Sequence, residues 1–313
     1  MLKDFFARAA QYLPASGRRV GSIARRQRLL AEKQHRDLMS SHEALRRQLA
    51  RLEAELLPHS DGSRDGAPGV RGSLEELNAS VDDVRRGSGA ARRSSREAVW
   101  GAVYRDTVAQ SSWFTDQAVS PGRWAVGYPF LYVLYRVLDE SRPTSILELG
   151  LGQSTKVTAQ YAAHGTAVGH TVVEHDPEWI AAFGANFALP STTRIHTLDL
   201  TTAELPDGET ALRYDGFAAA VGSATYDLIV VDGPFGGGAE RARIDILDLI
   251  PQALEERFII MLDDYNRPGE QRTAAAIAKA LDAAGIAHET TRYSGEKDLW
   301  VATSPDLRFF TSL

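Results

Sequence analysis

The chain has 313 residues, no cysteine and a net charge of −6, which excludes a disulfide framework, a thiolate nucleophile and Cys-ligated zinc. Hydrophobic residues make up 43% and charged residues 24%, as in an ordinary folded protein, and the longest strongly apolar uncharged run, Trp124 to Tyr135, falls far short of the ~20 residues of a membrane-spanning helix. The charge is divided: residues 1–100 carry 19 Lys+Arg against 13 Asp+Glu and residues 101–313 carry 16 against 28, so the acidic C-terminal part is a poor partner for nucleic-acid phosphates and suits a small molecule, a sugar or a cation better.

Leu2, Phe5, Phe6, Ala9, Tyr12 and Leu13 share one helical face, and the basic stretch Arg18 to Arg28 follows. This predicts a helix that docks on protein or makes peripheral contact with a membrane surface. Lys3, Asp4 and Arg8 break up any signal-peptide apolar segment. The expected location is therefore the cytoplasm, at the inner membrane face if the helix touches lipid. From Ala24 to Leu57 there is no Gly or Pro, and Leu38, Leu45, Leu49, Leu52 and Leu56 fall at alternating a and d positions. That spacing predicts a short coiled coil and a homo-oligomer, with a single solvated helix as the other reading. Residues 1–57 are thus expected to be an amphipathic and coiled-coil helical region. Clusters such as SDGSRDGAPGVRG and RRGSGAARRSS predict a flexible linker over 58–98.

Residues 99–313 read as an α/β domain. A helix over Tyr128–Glu140 leads to a strand at Ser145–Leu149, a Gly-containing turn and a helix over Ser154–Ala163. A second strand, His170–Glu174, is followed by a helix opening at Pro177, a favoured first helical residue. Strands follow at Arg194–Leu198 and Asp227–Asp232, then a helix over Ala239–Leu254, a strand at Phe258–Leu262, a helix over Glu270–Ala284 and a closing hairpin, His288–Tyr293 with Lys297–Thr303. The alternation predicts a mostly parallel sheet with helices on both faces and ligands at the carboxyl ends of the strands.

The first strand ends in Glu148-Leu149-Gly150-Leu151-Gly152-Gln153-Ser154-Thr155. Two glycines let backbone pass close to a ligand, and the free N–H groups of the next helix face it. A dinucleotide-binding turn wants a third glycine where Thr155 stands, so an NAD enzyme is disfavoured. Glu174 ends the second strand, where its carboxylate either caps the next helix or faces a ligand site.

The run Glu148 to Gly152 resembles motif I of the class I S-adenosylmethionine-dependent methyltransferases, and the resemblance continues in order to residue 303. It implies a Rossmann-like fold with a seven-stranded sheet and a C-terminal antiparallel hairpin. It also implies S-adenosyl-L-methionine as cofactor, held by Glu148, Gly150, Gly152, Ser154, the ribose-binding Glu174 and, near adenine, Asp199. Asp232-Gly233-Pro234 and Asp263-Asp264-Tyr265-Asn266-Arg267 look like a bacterial branch with DGP and DD-x-x-R motifs, and more distantly like polysaccharide O-methyltransferases.

The acids Asp232, Asp263 and Asp264 are arranged like those of magnesium-dependent sugar and catechol O-methyltransferases, which implies a bound Mg²⁺; the other reading is that Asp232 touches cofactor or acceptor directly and that Asp263 and Asp264 cap a loop. Asp263 and Asp264 are sequential, so both reach one ion only if the chain turns there; Asn266, Pro268 and Gly269 are turn formers. Catechol-type enzymes carry a lysine base three places after the first of these acids, where this chain has Phe235. Asp232, Asp264 and His175 remain as candidate bases. Trp124, in a Pro-Gly-containing loop, is a candidate stacking face for a sugar acceptor, whereas Phe130 and Tyr135 read as core. The expected activity is O-methylation of a sugar or glycan hydroxyl. An oligomeric scaffold with a non-catalytic methyltransferase-like domain is the alternative.

Overall fold

A computed structural model describes Arg47 and residues 67–165, 167–236 and 239–313. The expected amphipathic helix at 2–13 lies outside the described residues, and so does the coiled coil over 24–57 apart from Arg47. The chain divides into two compact units, 1–92 and 93–313. Among the described residues no helix is long and apolar enough to cross a membrane.

The linker expected over 58–98 is corrected from residue 67 onward, where helix α1 runs from Ala67 to Val108. Ala, Leu, Glu and Arg in this segment favour a helix, and the Gly and Ser residues that suggested a coil are tolerated within it. Its last turns belong to the second unit. The Glu97 carboxylate accepts Tyr128 N–H at 2.6 Å and Glu296 N–H at 2.9 Å, and Trp100 donates its indole N–H to the Ser294 carbonyl at 3.0 Å.

The second unit continues with α2 (Tyr128–Arg136), β1 (Ser145–Leu149), α3 (Gln153–His164), β2 (Gly169–Glu174), α4 (Pro177–Asn186), β3 (Thr193–Thr197), β4 (Leu200–Glu204), β5 (Thr210–Tyr214) and α5 (Phe217–Val221). Then come β6 (Tyr226–Val231), β7 (Leu254–Leu262), α6 (Pro268–Ala283), β8 (Glu289–Ser294) and β9 (Asp298–Thr303). Seven strands form one sheet in the order β3-β2-β1-β6-β7-β9-β8. The first five are parallel, and β9 runs antiparallel to both β7 and β8.

The two-residue period of a strand divides the core cleanly. Ile146, Leu228, Val230, Ile259 and Met261 face a layer that includes Phe130, Leu134 and Leu138 near α2 and Val157 of α3. Leu147, Leu149, Ile229, Val231, Ile260 and Leu262 face the other layer, with Phe217 of α5 and Ala274, Ile277 and Leu281 of α6. Burial on both faces explains why these strands read as unbroken apolar runs.

One expected element is missing and one unexpected element is present. The stretch Leu200–Tyr214 is a separate antiparallel hairpin, β4 paired with β5, and the helix expected over Ala239–Leu254 is absent apart from a short 3₁₀ turn, Asp245–Leu249. One pairing causes both departures. Arg241 N–H donates to the Thr210 carbonyl at 3.0 Å and Leu212 N–H donates to the Arg241 carbonyl at 2.9 Å, so this backbone extends along β5 instead of coiling. Arg243, at φ 62, then turns the chain.

Candidate active site

Register alone assembles the site. Leu149 pairs with Val173 and Val231, and Val231 pairs with Leu262, so the residues that follow, Gly150, Glu174, Asp232 and Asp263, emerge in one row at the carboxyl edge. Gly150 N–H donates to the Val173 carbonyl at 2.8 Å and Asp232 N–H to the Leu149 carbonyl at 2.9 Å, which fixes the row. A cavity of about 310 Å³ opens between the Gly150–Gln153 turn, the end of β2 and the Asp232–Phe235 segment, with Trp124, Trp179 and Tyr214 completing its wall.

The glycines divide the work. Gly150 has φ 96, and a Cβ there would sit 2.8 Å from Gly233 N. Gly152 is different: a Cβ there would meet nothing within 4 Å, so that space belongs to the cavity. Thr155 is fully buried and its hydroxyl accepts Gly152 N–H at 3.0 Å, a structural use for the side chain that replaces the third glycine.

Glu174 accepts Leu151 N–H at 2.9 Å on Oε2, and His175 N–H at 2.7 Å and Asp176 N–H at 3.0 Å on Oε1. With about four lone-pair sites on a carboxylate, Oε2 keeps room for a ligand hydroxyl. Helix α4 is capped by Asp176, not by Glu174, through Glu178 and Trp179 N–H groups at 2.9 and 3.1 Å. That cap holds Trp179, 44% exposed, whose indole N–H donates to the Leu151 carbonyl at 2.7 Å and so fixes a flat apolar face at the cavity wall. Tyr214 lines the cavity with a buried hydroxyl that has no hydrogen-bond partner. Burial first, then the Glu174 and Asp245 carboxylates, raises this phenol well above its ordinary range, so it is a donor awaiting an acceptor.

The remaining expected residues separate. His175 lines the cavity, its Nδ1 2.7 Å from Glu174 Oε1 and its ring 5.7 Å from that of Phe235. Glu148 lies beneath α3, fully buried, where it accepts Thr158 Oγ1 at 2.7 Å and meets His170 Nε2 at 2.8 Å. It supports the turn and does not line the cavity, because its place on β1 alternates with that of Leu147 and Leu149. Ser154 is likewise buried outside the cavity wall. Asp199 is exposed and joins the fold through its carbonyl, which accepts Asp215 N–H at 2.8 Å; it too is absent from the wall. None of these three lines the cavity.

Asp232, Asp263 and Asp264 do converge, with carboxylate oxygens within 4.8 Å of one another. The turn occurs at Asp264 itself, at φ 58. Protein cations already occupy the cluster, however. Arg243 Nη2 lies 2.9 Å from Asp264 Oδ2 and 3.3 Å from Asp232 Oδ1, and Lys297 Nζ lies 3.3 Å from Asp263 Oδ2 and 3.2 Å from Asp264 Oδ1. Arg267 adds a contact of 3.0 Å to Asp264. Three carboxylates suit Mg²⁺ in donor chemistry, but an ion here would have to share its ligands with a guanidinium and an ammonium, so the set as folded does not fit a resident metal.

The charges sort the acids by role. Burial disfavours ionised Asp264, but Arg243, Lys297 and Arg267 outweigh it and hold its carboxyl below the usual range. Asp264 does not line the cavity. Asp232 does line it, with a side chain 14% exposed, and burial and the Asp263 carboxylate push its carboxyl well above the usual range against the pull of Arg243 and Lys297. Sequence reasoning missed Lys297, Trp179 and Tyr214. Trp179 had a signal in its position on the helix that Asp176 and Pro177 open; Tyr214 was hidden with its hairpin.

No family model matches the chain, and no curated protein sequence matches it. Solved structures do. The O-methyltransferase TomG from Streptomyces achromogenes matches at 13% identity over 66% of this chain and 98% of its own, with a TM-score of 0.42. The precorrin-6y C5,15-methyltransferase of Geobacter metallireducens matches at 13% identity over 60% and 94%, TM-score 0.40. A spermidine synthase from Thermotoga maritima matches at 12% over 54% and 56%, TM-score 0.33. Such distant likenesses say nothing of activity. The strand order and the antiparallel β9 stand on their own, and they describe a mostly parallel, Rossmann-like sheet closed by an antiparallel hairpin.

Proposed function

We propose that the chain is an S-adenosylmethionine-dependent methyltransferase that methylates an oxygen, and that its acceptor is a sugar or glycan hydroxyl. One observation carries the reading: a single cavity joins the open space in front of Gly152, the unsatisfied Oε2 lone pair of Glu174 and the partly free carboxyl of Asp232. S-adenosylmethionine, when bound, supplies a methyl group on a positively charged sulfur. Glu174 would accept a ribose hydroxyl, the Trp179 face would cover the adenine, and the backbone at Gly152 would lie against the cofactor without a side chain between them. The Tyr214 hydroxyl offers a further donor.

Asp232 is the base of this reading. An acceptor hydroxyl would pass its proton to Asp232 as its oxygen takes the methyl group, and a carboxyl raised above its usual range holds that proton better than an ordinary aspartate. Arg243 accounts for one oxygen of Asp232, at 3.3 Å, and thereby orients the other. The sugar reading is supported by Trp124, 94% exposed, and Phe235, 56% exposed, which flank the same cavity and offer apolar faces to a pyranose ring.

Calorimetric titration tests the cofactor. S-adenosylmethionine and its demethylated product are expected to bind and NAD is not; binding of NAD alone overturns the reading. Methyl transfer to a panel of free and nucleotide-linked sugars, with catechol as the contrast, tests the acceptor. Transfer to catechol but to none of the sugars overturns that part.

A further inference from the structure

Three aspartates packed within 4.8 Å of one another need positive charge, and the question is where it comes from. We propose that Lys297 is the resident cation of the Asp232–Asp263–Asp264 cluster, placed where a divalent ion would otherwise bind, and that the cluster is metal-free because of it. The inference concerns the cluster and holds whatever the neighbouring cavity binds.

The lysine is built in. Its side chain is only 12% exposed, and its Nζ bridges Asp263 Oδ2 and Asp264 Oδ1, the two acids that follow β7. It stands in the turn between β8 and β9, and that turn is tied to the Asp264–Asn266 turn: Tyr265 N–H donates to the Asp298 carbonyl at 2.8 Å, and Asp298 N–H to Asn266 Oδ1 at 3.3 Å. These bonds hold the backbone that carries Lys297 against the turn that carries its two partners. Arg243 completes the arrangement from the opposite segment, with Nη1 donating to the Asp263 carbonyl at 2.9 Å and Nε to the Pro234 carbonyl at 3.4 Å.

Charge counting shows what a metal would have to do. Arg243 and Lys297 balance two of the three carboxylates, while Arg267 is shared with Glu270, 3.6 Å away. The residual negative charge falls on Asp232, the acid that faces the cavity. A divalent ion coordinated by all three acids would strip Lys297 of both partners and leave a nearly buried ammonium beside a second cation, which is strongly unfavourable. Lys297 also supplies, from the β8–β9 turn, the positive group that Phe235 cannot supply three residues after Asp232.

The test is binding of Mn²⁺ alone to the full chain, followed by electron paramagnetic resonance. Wild type is expected to show no saturable Mn²⁺ binding that Asp263→Asn removes, and Lys297→Met, which takes away the cation and keeps the stem, is expected to gain at least tenfold in Mn²⁺ affinity. Lys297→Arg restores the charge and is expected to bind no more Mn²⁺ than wild type. Saturable wild-type binding that Asp263→Asn abolishes overturns the proposal, and this arm stands even if Lys297→Met fails to fold. A folded Lys297→Met chain that gains no Mn²⁺ affinity overturns it as well. A parallel titration of wild type with the demethylated cofactor reports on the methyltransferase reading separately, because neither result depends on the other.

Discussion

Gly150 and Gly233 face each other across the carboxyl edge so closely that a Cβ on Gly233 would lie 2.7 Å from Gly150 Cα, and one on Gly150 would lie 2.8 Å from Gly233 N. The turns that follow β1 and β6 thus pass backbone to backbone, and the cavity floor exists because neither carries a side chain there. Gly233→Ala should cost about 1–3 kcal/mol of stability, the range for overpacking, and should weaken cofactor binding with it. Gly152→Ala makes the contrast. Its φ of −164 is ordinary extended backbone and its Cβ would meet no protein atom within 4 Å, so thermal unfolding should match wild type while affinity for the demethylated cofactor falls at least tenfold. Equal binding by Gly152→Ala would show that the cofactor lies elsewhere.

Glu174 has two tasks, and a substitution should separate them. It organises Leu151, His175 and Asp176 N–H groups, and in the proposed function it also holds a ribose hydroxyl. Glu174→Gln leaves one acceptor oxygen for the backbone and removes the charge, and should lose about 1.5–3 kcal/mol of cofactor affinity, the value of a hydrogen bond to an ionised group. Unchanged affinity in calorimetry removes Glu174 from the ligand contacts and leaves it as a turn-former.

The sequence carried the strand alternation and the row of residues that end the strands, because β1, β6 and β7 are buried on both faces and read as apolar runs that stop abruptly at Gly150, Asp232 and Asp263. It did not carry the residues whose position depends on pairing. Lys297 lies 33 positions after Asp264, and only the insertion of β9 beside β7 brings them together. The β4–β5 hairpin did leave a signal, the Pro206-Asp207-Gly208 turn with Gly208 at φ 83, between two stretches of strand-forming residues. The absence of a helix at 239–254 left no such signal, because Arg241 is taken up by Asp207 and Glu209 of that hairpin only once the hairpin has formed.

Asp232 as base predicts a split between binding and turnover. Asp232→Asn should leave affinity for the demethylated cofactor within a few-fold and reduce kcat by roughly 10²–10⁴, the usual contribution of a positioned proton acceptor. The raised carboxyl also predicts an acid limb. Wild-type kcat/KM should fall as pH drops through a value above the ordinary aspartate range, because protonated Asp232 cannot accept a proton. A wild-type profile flat down to pH 4, or an Asn variant with the same limb, assigns the proton transfer to another group.

Residues 1–57 should drive self-association if their leucine spacing forms the expected coiled-coil seam. Light scattering on the full chain and on a chain starting at residue 93, which keeps Glu97 with the second unit, should give a larger assembly for the former. Two monomers would end the coiled-coil reading.

Asp245 ties the β4–β5 hairpin to the 3₁₀ turn, and its titration should be visible in stability. Fully buried, it accepts Arg213 Nε at 3.1 Å and Tyr214 N–H at 3.3 Å on Oδ1, while Oδ2 has no hydrogen-bond partner. Burial dominates and pushes the carboxyl from 3.8 up to about 6, although Arg213 opposes the shift. The folded protein therefore binds this proton more readily than the unfolded chain. The contribution of Asp245 to stability is greatest below about pH 4, declines as pH rises towards about 6, and is steady above that; the slope is the reverse of that for a salt-bridged aspartate with a depressed pKa. Asp245→Asn keeps an acceptor for Tyr214 N–H and cannot titrate, so its stability relative to wild type should improve by about 2 kcal/mol between pH 4.5 and pH 7.5, the linkage expected for a shift of this size. Urea denaturation of both proteins across that range isolates the effect, since the other titrating groups are shared and cancel in the difference. Parallel stability curves would mean that Arg213, also paired with Asp248, keeps Asp245 ionised throughout.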